Sequence, residues 1–238
     1  MLERILPAGT AVVATSGDFL DEPLYPEEEA ALGRAVEKRR REFVTARACA
    51  RRALERLDLP AGPVPAGPKG EPVWPDGVVG SITHCAGYRA CALGRTGDLL
   101  TIGVDAELDQ PLPDGLLPDV ALPEERRQLQ ALSAVEPGVN WDRLLFSIKE
   151  SVYKAWFPLA RQWLGFEDAT VRIERSGTFS AQLLVPGPSV GEAVLDGFAG
   201  RWLAADGLLF AAIAMPALSP SRPGADFAPA GEWGNDGR

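Results

Sequence analysis

The segment FSIKESVYKAWFPL, residues 146–159, repeats its apolar residues with the period of a helix that packs against a core. At about 100° per residue, the apolar stripe contains Leu145, Ile148, Val152, Ala155 and Trp156. Ser147, Glu150 and Lys154 fall on the opposite side, where Glu150 and Lys154 are neighbours because they are four residues apart. This polar face is either a solvated ion pair or part of a site. Lys149 lies at the flank of the apolar stripe, a position typical of a lysine that extends to the surface.

A second acidic pattern, TIGVDAEL at residues 101–108, reads as a strand. Strand alternation sends Asp105 and Glu107 to one face and Ala106 to the other. Two carboxylates on one face repel each other unless a cation lies between them, and Mg²⁺ prefers such oxygen ligands. The alternative is a strand that ends in an acidic surface turn. Together with Glu150 the pair would form a three-carboxylate cation site, leaving Lys154 to contact a phosphate oxygen.

The remaining pattern predicts a mixed α+β fold. Helices are expected at 26–57, as one long or two consecutive helices, and at 123–132 and 141–157. Strands are expected within 78–95, 99–108, 169–185 and 200–215, with turns at Ser176-Gly177 and Asp206-Gly207. Residues 58–77 are rich in Pro and Gly and are predicted to form a loop.

Composition excludes several classes of protein. A chain of 238 residues with 46% hydrophobic content can bury a sizeable core. The net charge of −9 argues against a general nucleic-acid binder, so an anionic ligand would need local basic clusters. The N-terminal residues lack a signal-peptide pattern and the sequence lacks a long apolar run, so a cytoplasmic protein without a membrane segment is expected. Cys49, Cys85 and Cys91 lack CxxC spacing and are expected to be free thiols.

GVDAE at 103–107, followed by FSIKESVYKAWFPL at 146–159, resembles the paired signature of the 4′-phosphopantetheinyl transferases. The similarity is to the large class that activates fatty-acid, polyketide and nonribosomal peptide synthases, and in detail to its actinobacterial branch. Four further segments resemble that family: RREFVTARACARRAL at 40–54, KGEPVWP at 69–75, GSITHCAGY at 80–88 and WLGFEDATV at 163–171.

The resemblance implies two similar α+β halves related by a pseudo-twofold, with the active site in the cleft between them. The halves are expected at 1–102 and 103–216, with a disordered tail at 217–238. The implied reaction moves the phosphopantetheine arm of coenzyme A to a serine of an acyl or peptidyl carrier protein and releases 3′,5′-ADP. The implied protein is a monomer that uses Mg²⁺.

The resemblance also implies roles for individual residues. Asp105, Glu107 and Glu150 match the metal-binding acids, and Glu150 is in addition the expected general base. Lys154 matches the lysine near the pyrophosphate. The residues expected to contact the coenzyme are Arg39, Arg47, Lys69, Thr83, His84, Lys149 and Lys154.

Alternatives remain for several of these residues. His84 could be an ordinary histidine at the end of a hairpin. Lys69, Arg47 and Arg39 could be solvated charge, since Arg39, Arg40 and Arg41 offer three candidates in a row. At the level of function, a Mg²⁺-dependent phosphohydrolase or nuclease would also use clustered acids and a lysine. A non-catalytic coenzyme A binding module is the other rival, although intact Glu150 and Lys154 argue against it.

Overall fold

A computed structural model describes residues 1–19, 21–33 and 35–218 of the chain, and its helices and strands confirm the α+β class. The helices are α1 (Pro26–Leu32), α2 (Glu37–Arg56), α3 (Leu117–Val120), α4 (Pro123–Val135) and α5 (Trp141–Ala160). The strands are β1 (Ala11–Thr15), β2 (Val78–Cys85), β3 (Tyr88–Arg95), β4 (Leu99–Leu108), β5 (Ala169–Glu174), β6 (Thr178–Leu183), β7 (Ser189–Val190), β8 (Ala193–Val194), β9 (Gly197–Ala205) and β10 (Leu208–Pro216). Within the described ranges, no helix is both long and apolar enough to cross a membrane.

The strands form two antiparallel sheets, each covered by one long helix. The first sheet has the order β1-β3-β2, and α2 packs on it. The second has the order β4-β10-β9-β6-β5, and α5 packs on its β4 and β10 strands. β7 and β8 form a separate small hairpin. The apolar stripe predicted for α5 is confirmed, because all five of its residues are at most 2% exposed and belong to the core between α5 and the second sheet.

Most predicted elements are present, and the missed ones are short. The 26–57 region forms two helices, and both hairpin turns are made by glycines with positive φ, Gly177 and Gly207. β1, which pairs with β3 from Ala11↔Leu93 to Thr15↔Arg89, was not predicted from the sequence, and neither were α3, β7 and β8. A five-residue strand has too few alternations to be recognised without its partner. Beyond Leu218, the predicted disordered tail lies outside the described residues.

The two sheets meet along their edge strands β2 and β4, and serine and threonine side chains connect them. The Ser81 hydroxyl accepts a hydrogen bond from Val104 N at 3.1 Å, and the Thr83 hydroxyl accepts one from Ala106 N at 2.9 Å. These two N–H groups lie on the side of β4 away from its strand partner β10. The hydroxyls therefore satisfy buried edge groups that would otherwise lack partners.

Gly103 sets the distance between α5 and β4. A Cβ at this position would lie 2.0 Å from the carbonyl oxygen of Ser151 and 2.8 Å from the amide nitrogen of Ala155. Next to it, the Thr101 hydroxyl donates to Ala155 O at 2.8 Å. Four residues of helix rise about 6 Å and two residues of strand about 6.6 Å. Contacts along the antiparallel packing therefore recur every four residues of α5 and every two residues of β4.

The predicted division of the chain after residue 102 falls inside β4. This strand pairs with β10 from Leu99 to Leu108 and so belongs as a whole to the second sheet. A division that follows the sheets would precede Leu99. The two-half organisation and the pseudo-twofold stay predictions.

The contact at Gly103 leads to a prediction about stability. Gly103→Ala should lower the free energy of unfolding by about 1–3 kcal/mol, because the added methyl group collides with helix backbone that cannot move alone. The measurement is urea denaturation followed by tryptophan fluorescence.

Gly97→Ala is the matched control. Gly97 lies in the turn before β4, has no positive φ, and an added Cβ would have no atom within 4 Å. Its free energy of unfolding should change by less than about 0.5 kcal/mol. Equal urea midpoints for the two variants would show that the packing of α5 against β4 does not depend on Gly103.

Candidate active site

Asp105 is the buried centre of the site, with 5% of its surface exposed. Its Oδ1 accepts hydrogen bonds from Lys154 Nζ at 2.6 Å and from the Thr83 hydroxyl at 3.2 Å. Its Oδ2 accepts one from the Ser147 hydroxyl at 2.8 Å. Lys154 also donates to Val104 O at 3.2 Å. The alternative of an acidic surface turn is thereby excluded for Asp105, since its carboxylate is inside the protein and both of its oxygens accept hydrogen bonds.

Glu107, two residues further along β4, is half-buried and is held by Arg143. Arg143 Nη1 donates to Glu107 Oε2 at 3.2 Å. Burial raises the pKa of Glu107, the negative charge of Asp105 raises it further, and Arg143 and Lys154 oppose both effects. The sequence analysis missed Arg143, although its position four residues before Ser147 places it on the polar stripe of α5.

Glu150 has no hydrogen bond or ion pair within the described part of the chain. The alternative of a solvated ion pair between Glu150 and Lys154 is therefore excluded, because Lys154 pairs with Asp105 instead. Burial raises the pKa of Glu150, Lys154 opposes this shift, and Asp105 adds to it. Glu150 is thus a half-buried carboxylate that is free to accept a proton or a cation.

The three acids are not arranged as a ready metal cluster. Among the residues that the structure describes, no group of three or more His, Cys, Asp or Glu side chains could hold a metal ion. Two of the three carboxylates instead contact cations of the chain itself, Asp105 with Lys154 and Glu107 with Arg143.

His84 and Arg39 connect this site to α2. Arg39 Nη1 lies 3.2 Å from His84 Nε2, the geometry of a guanidinium that donates to a neutral imidazole. Burial lowers the pKa of His84, Arg39 and Lys154 lower it further, and Glu42 opposes them. The lowered pKa favours the neutral imidazole, which can accept the hydrogen bond from Arg39.

Arg47 is a buried cation that forms no ion pair with the described acids, although the charge of Glu28 acts on it and opposes the effect of burial on its pKa. Only 4% of its surface is exposed, its guanidinium lies 4.2 Å from the centre of the Phe43 ring, and its Nε has no hydrogen-bond partner in the described residues. Burial lowers the pKa of Arg47 to about 10, so the group is still charged at neutral pH. Solvated helix charge is excluded for Arg47 but not for Arg39, which is exposed. A buried charge without a partner is costly, so Arg47 is suited to an anion that comes from outside.

Lys69 stays apart from these residues. It is exposed at the tip of a loop that is closed by an Ala66–Pro72 bridge and by a hydrogen bond from Gly67 N to Glu71 O. Its ammonium group makes no hydrogen bond or ion pair in the described part of the chain.

Two residues predicted to contact the coenzyme, Lys149 and Thr83, have side chains that are already hydrogen-bonded within the protein. Lys149 is buried, forms an ion pair with Glu125 at 2.8 Å, and donates to Phe166 O at 2.7 Å and Ala169 O at 3.1 Å. The ammonium group is therefore neither at the surface nor free for a ligand. The Thr83 hydroxyl donates to Asp105 and accepts from Ala106 N, so it has no donor left for a coenzyme.

The described residues thus provide a lysine held by a buried acid, a carboxylate without a hydrogen-bond partner and, on α2, a buried arginine that forms no ion pair there, a set of groups that suits phosphate esters. Residues 27–94 match the model of the 4′-phosphopantetheinyl transferase N-terminal domain, and residues 101–199 match that of the 4′-phosphopantetheinyl transferase superfamily. The chain belongs to this superfamily, and the resemblance stated above is confirmed.

Three relatives show how far the similarity extends. The 4′-phosphopantetheinyl transferase Svp of Streptomyces mobaraensis is 52% identical, over 91% of this chain and 90% of the relative. Npt of Nocardia iowensis is 45% identical over 90% of this chain and 99% of its own length. PptT of Mycobacterium tuberculosis is 45% identical over 80% of this chain and 85% of its own length. Members of this family transfer the phosphopantetheine arm of coenzyme A to carrier proteins.

The ion pair between Lys149 and Glu125 leads to a second prediction about stability. Lys149→Met should lower the free energy of unfolding by about 3–5 kcal/mol, because Glu125 remains as a buried charge without its partner. Urea denaturation measures the loss, and the KM for coenzyme A should stay unchanged.

The control is Arg175→Met, which breaks an exposed ion pair of 3.0 Å with Glu136. This substitution should lower the free energy of unfolding by less than about 1 kcal/mol. Normal stability of Lys149→Met together with a raised KM would restore the coenzyme role that the geometry argues against.

Proposed function

We propose that this protein transfers the 4′-phosphopantetheine arm of coenzyme A to a serine hydroxyl of an acyl or peptidyl carrier protein. The serine oxygen forms a bond to the phosphorus nearer the pantetheine, the bond to the bridging oxygen breaks, and 3′,5′-ADP leaves. The observation that carries the proposal is the pairing of Lys154 with Asp105 at 2.6 Å next to Glu150, a carboxylate that has no partner among the described residues.

Glu150 is proposed as the general base that takes the serine proton. It is half-buried and accepts no hydrogen bond in the described part of the chain, and burial raises its pKa, which makes it a better proton acceptor. Lys154, which is 26% exposed in its side chain and fixed by Asp105 and Val104 O, is proposed to neutralise charge on the transferred phosphoryl group.

Asp105, Glu107 and Glu150 are proposed to hold Mg²⁺. The donor set suits a hard cation, because all three side chains offer carboxylate oxygens and because Glu107 Oε1 and both oxygens of Glu150 accept no hydrogen bond in the described residues. When bound, the cation would stabilise negative charge on phosphate oxygens.

Arg47, His84, Arg39 and Lys69 are proposed to bind the coenzyme. Arg47 is the best supported, since it is a buried charge without an ion pair in the described residues and the 3′-phosphate would supply the missing negative charge. Lys69 is proposed for the same phosphate on the resemblance alone.

Arg47→Ala should raise the KM for coenzyme A but not the KM for its 3′-dephospho form.

The state and location of the protein complete the proposal. We expect a monomer that acts in the cytoplasm and binds neither nucleic acid nor membrane. The net charge of −9 supports the absence of nucleic-acid binding, and the free thiols of Cys49, Cys85 and Cys91 support a reducing compartment.

The test of this function is a mass measurement on apo carrier domains, one of fatty-acid type and one of peptide-synthetase type. With Mg²⁺ and coenzyme A, the purified protein should add the phosphopantetheine mass to one serine of at least one domain. Release of 3′,5′-ADP should require the carrier. Nucleotide or phosphate release without a carrier would favour the phosphohydrolase. Coenzyme A binding without any turnover would favour the non-catalytic binding module.

A second experiment separates the two roles proposed for Glu150. Glu150→Gln removes a metal charge and a proton acceptor, whereas Glu107→Gln removes only a metal charge. Glu107 is a better comparison than Asp105, which also anchors Lys154. At saturating Mg²⁺, kcat of Glu107→Gln should largely recover, while that of Glu150→Gln should stay roughly 10²-fold or more below the parent. Equal recovery of both variants would reduce Glu150 to a metal ligand.

A further inference from the structure

Arg143, in the first turn of α5, has no role in the function proposed above, yet it contacts one of the site acids. We propose that Arg143 is a positioning residue that holds Glu107 in place for a divalent cation. This inference rests on the proposed function, because it takes Glu107 as a ligand of that cation.

Arg143 reaches three acceptors with its planar guanidinium. Nη1 donates to Glu107 Oε2 at 3.2 Å, Nε donates to Gln110 O at 3.2 Å, and Nη2 donates to Pro111 O at 2.9 Å. The two carbonyl groups belong to the turn that directly follows β4. Because the guanidinium is rigid and only 12% of the side chain is exposed, these bonds fix its position and with it that of Oε2.

The contact leaves Glu107 able to bind a cation. Arg143 takes only Oε2, and Oε1 accepts no hydrogen bond from the described residues. A cation can therefore bind Oε1 while the ion pair stays intact. Outer-shell partners of metal-binding carboxylates act in this way, by orienting the ligand without contacting the metal.

Two further contacts keep the turn in place relative to α5. Asp109 Oδ1 accepts hydrogen bonds from Asn140 N at 3.1 Å and Asn140 Nδ2 at 2.9 Å. Asp142 Oδ2 accepts one from Leu112 N at 2.9 Å. The end of β4 and the start of α5 are thus one unit, and Arg143 links this unit to a site carboxylate.

Charge and positioning lead to opposite expectations for the loss of Arg143. A positive group beside a cation site repels the cation, so removal of the charge alone should tighten binding. Loss of the oriented carboxylate should weaken it. A lysine would keep the charge but cannot reach two carbonyl groups and a carboxylate in one plane. The direction of the change therefore identifies the role.

The experiment measures Mn²⁺ binding by the full chain in the presence of coenzyme A and without a carrier protein, so that no transfer occurs. Free Mn²⁺ is quantified by its electron paramagnetic resonance signal. Arg143→Lys and Arg143→Gln should both raise the Kd for Mn²⁺ by about tenfold or more. Arg175→Gln, which removes an exposed arginine that pairs with Glu136, is the matched control and should leave the Kd unchanged.

A double-mutant cycle with Glu107→Ala tests whether Arg143 acts through Glu107. In the Glu107→Ala background, the Arg143 substitutions should add no further weakening, because the oriented group is absent. The cycle is run with both Arg143 variants and can be completed with whichever one keeps the circular dichroism spectrum of the parent. If neither variant folds, Arg143 is a folding residue and the proposal fails.

The outcomes separate this inference from the proposed function. An unchanged or lower Kd in the Arg143 variants, or equal weakening with and without Glu107, overturns the positioning role and leaves the metal assignment standing. No Mn²⁺ binding by the parent, or binding that Glu107→Ala does not affect, overturns both. Phosphopantetheine transfer is scored separately, so the absence of turnover in the parent would count against the proposed function alone.

Discussion

The close contact between α5 and β4 at Gly103 is the constraint on which the site depends. Because four helix residues match two strand residues in length, one register aligns the whole polar stripe of α5 with one face of β4. The backbone of Ser151 lies over Gly103, the Ser147 hydroxyl contacts Asp105, and Arg143 contacts Glu107. A shift of one helical turn would pair every acid with the wrong side chain.

Buried cations fall into two groups, and the difference separates structural from functional charge. Arg51 forms an ion pair with the fully buried Glu28, and Lys149 forms one with Glu125, so their charge is balanced within the fold. Arg47 is equally buried but forms no ion pair in the described residues, because Glu28, whose charge acts on it, is paired with Arg51. A fold can bear such a charge only at a cost in free energy, which a bound anion would offset.

The junction between the sheets explains how residues far apart in sequence share one site. Hydroxyl groups of β2 replace a strand partner for β4, and Thr83 contacts Asp105 through the same hydroxyl that binds Ala106 N. His84 follows Thr83 in β2, its Nε2 lies 3.2 Å from Arg39 Nη1, and the charge of Lys154 acts on its ring. The junction itself therefore brings the basic residues of the first sheet and its helix to the acids of the second.

The sequence by itself determined the α+β class, nearly all the longer elements, the buried stripe of α5 and the family, because periodicity and motif spacing are local properties of the chain. It also predicted that Asp105 and Glu107 share a face. It could not reveal that Lys149 pairs with Glu125, that Arg143 holds Glu107, or that Lys154 prefers Asp105 to Glu150. Only the tertiary structure decided these partners, because a charged side chain binds whichever opposite charge the packing brings within reach.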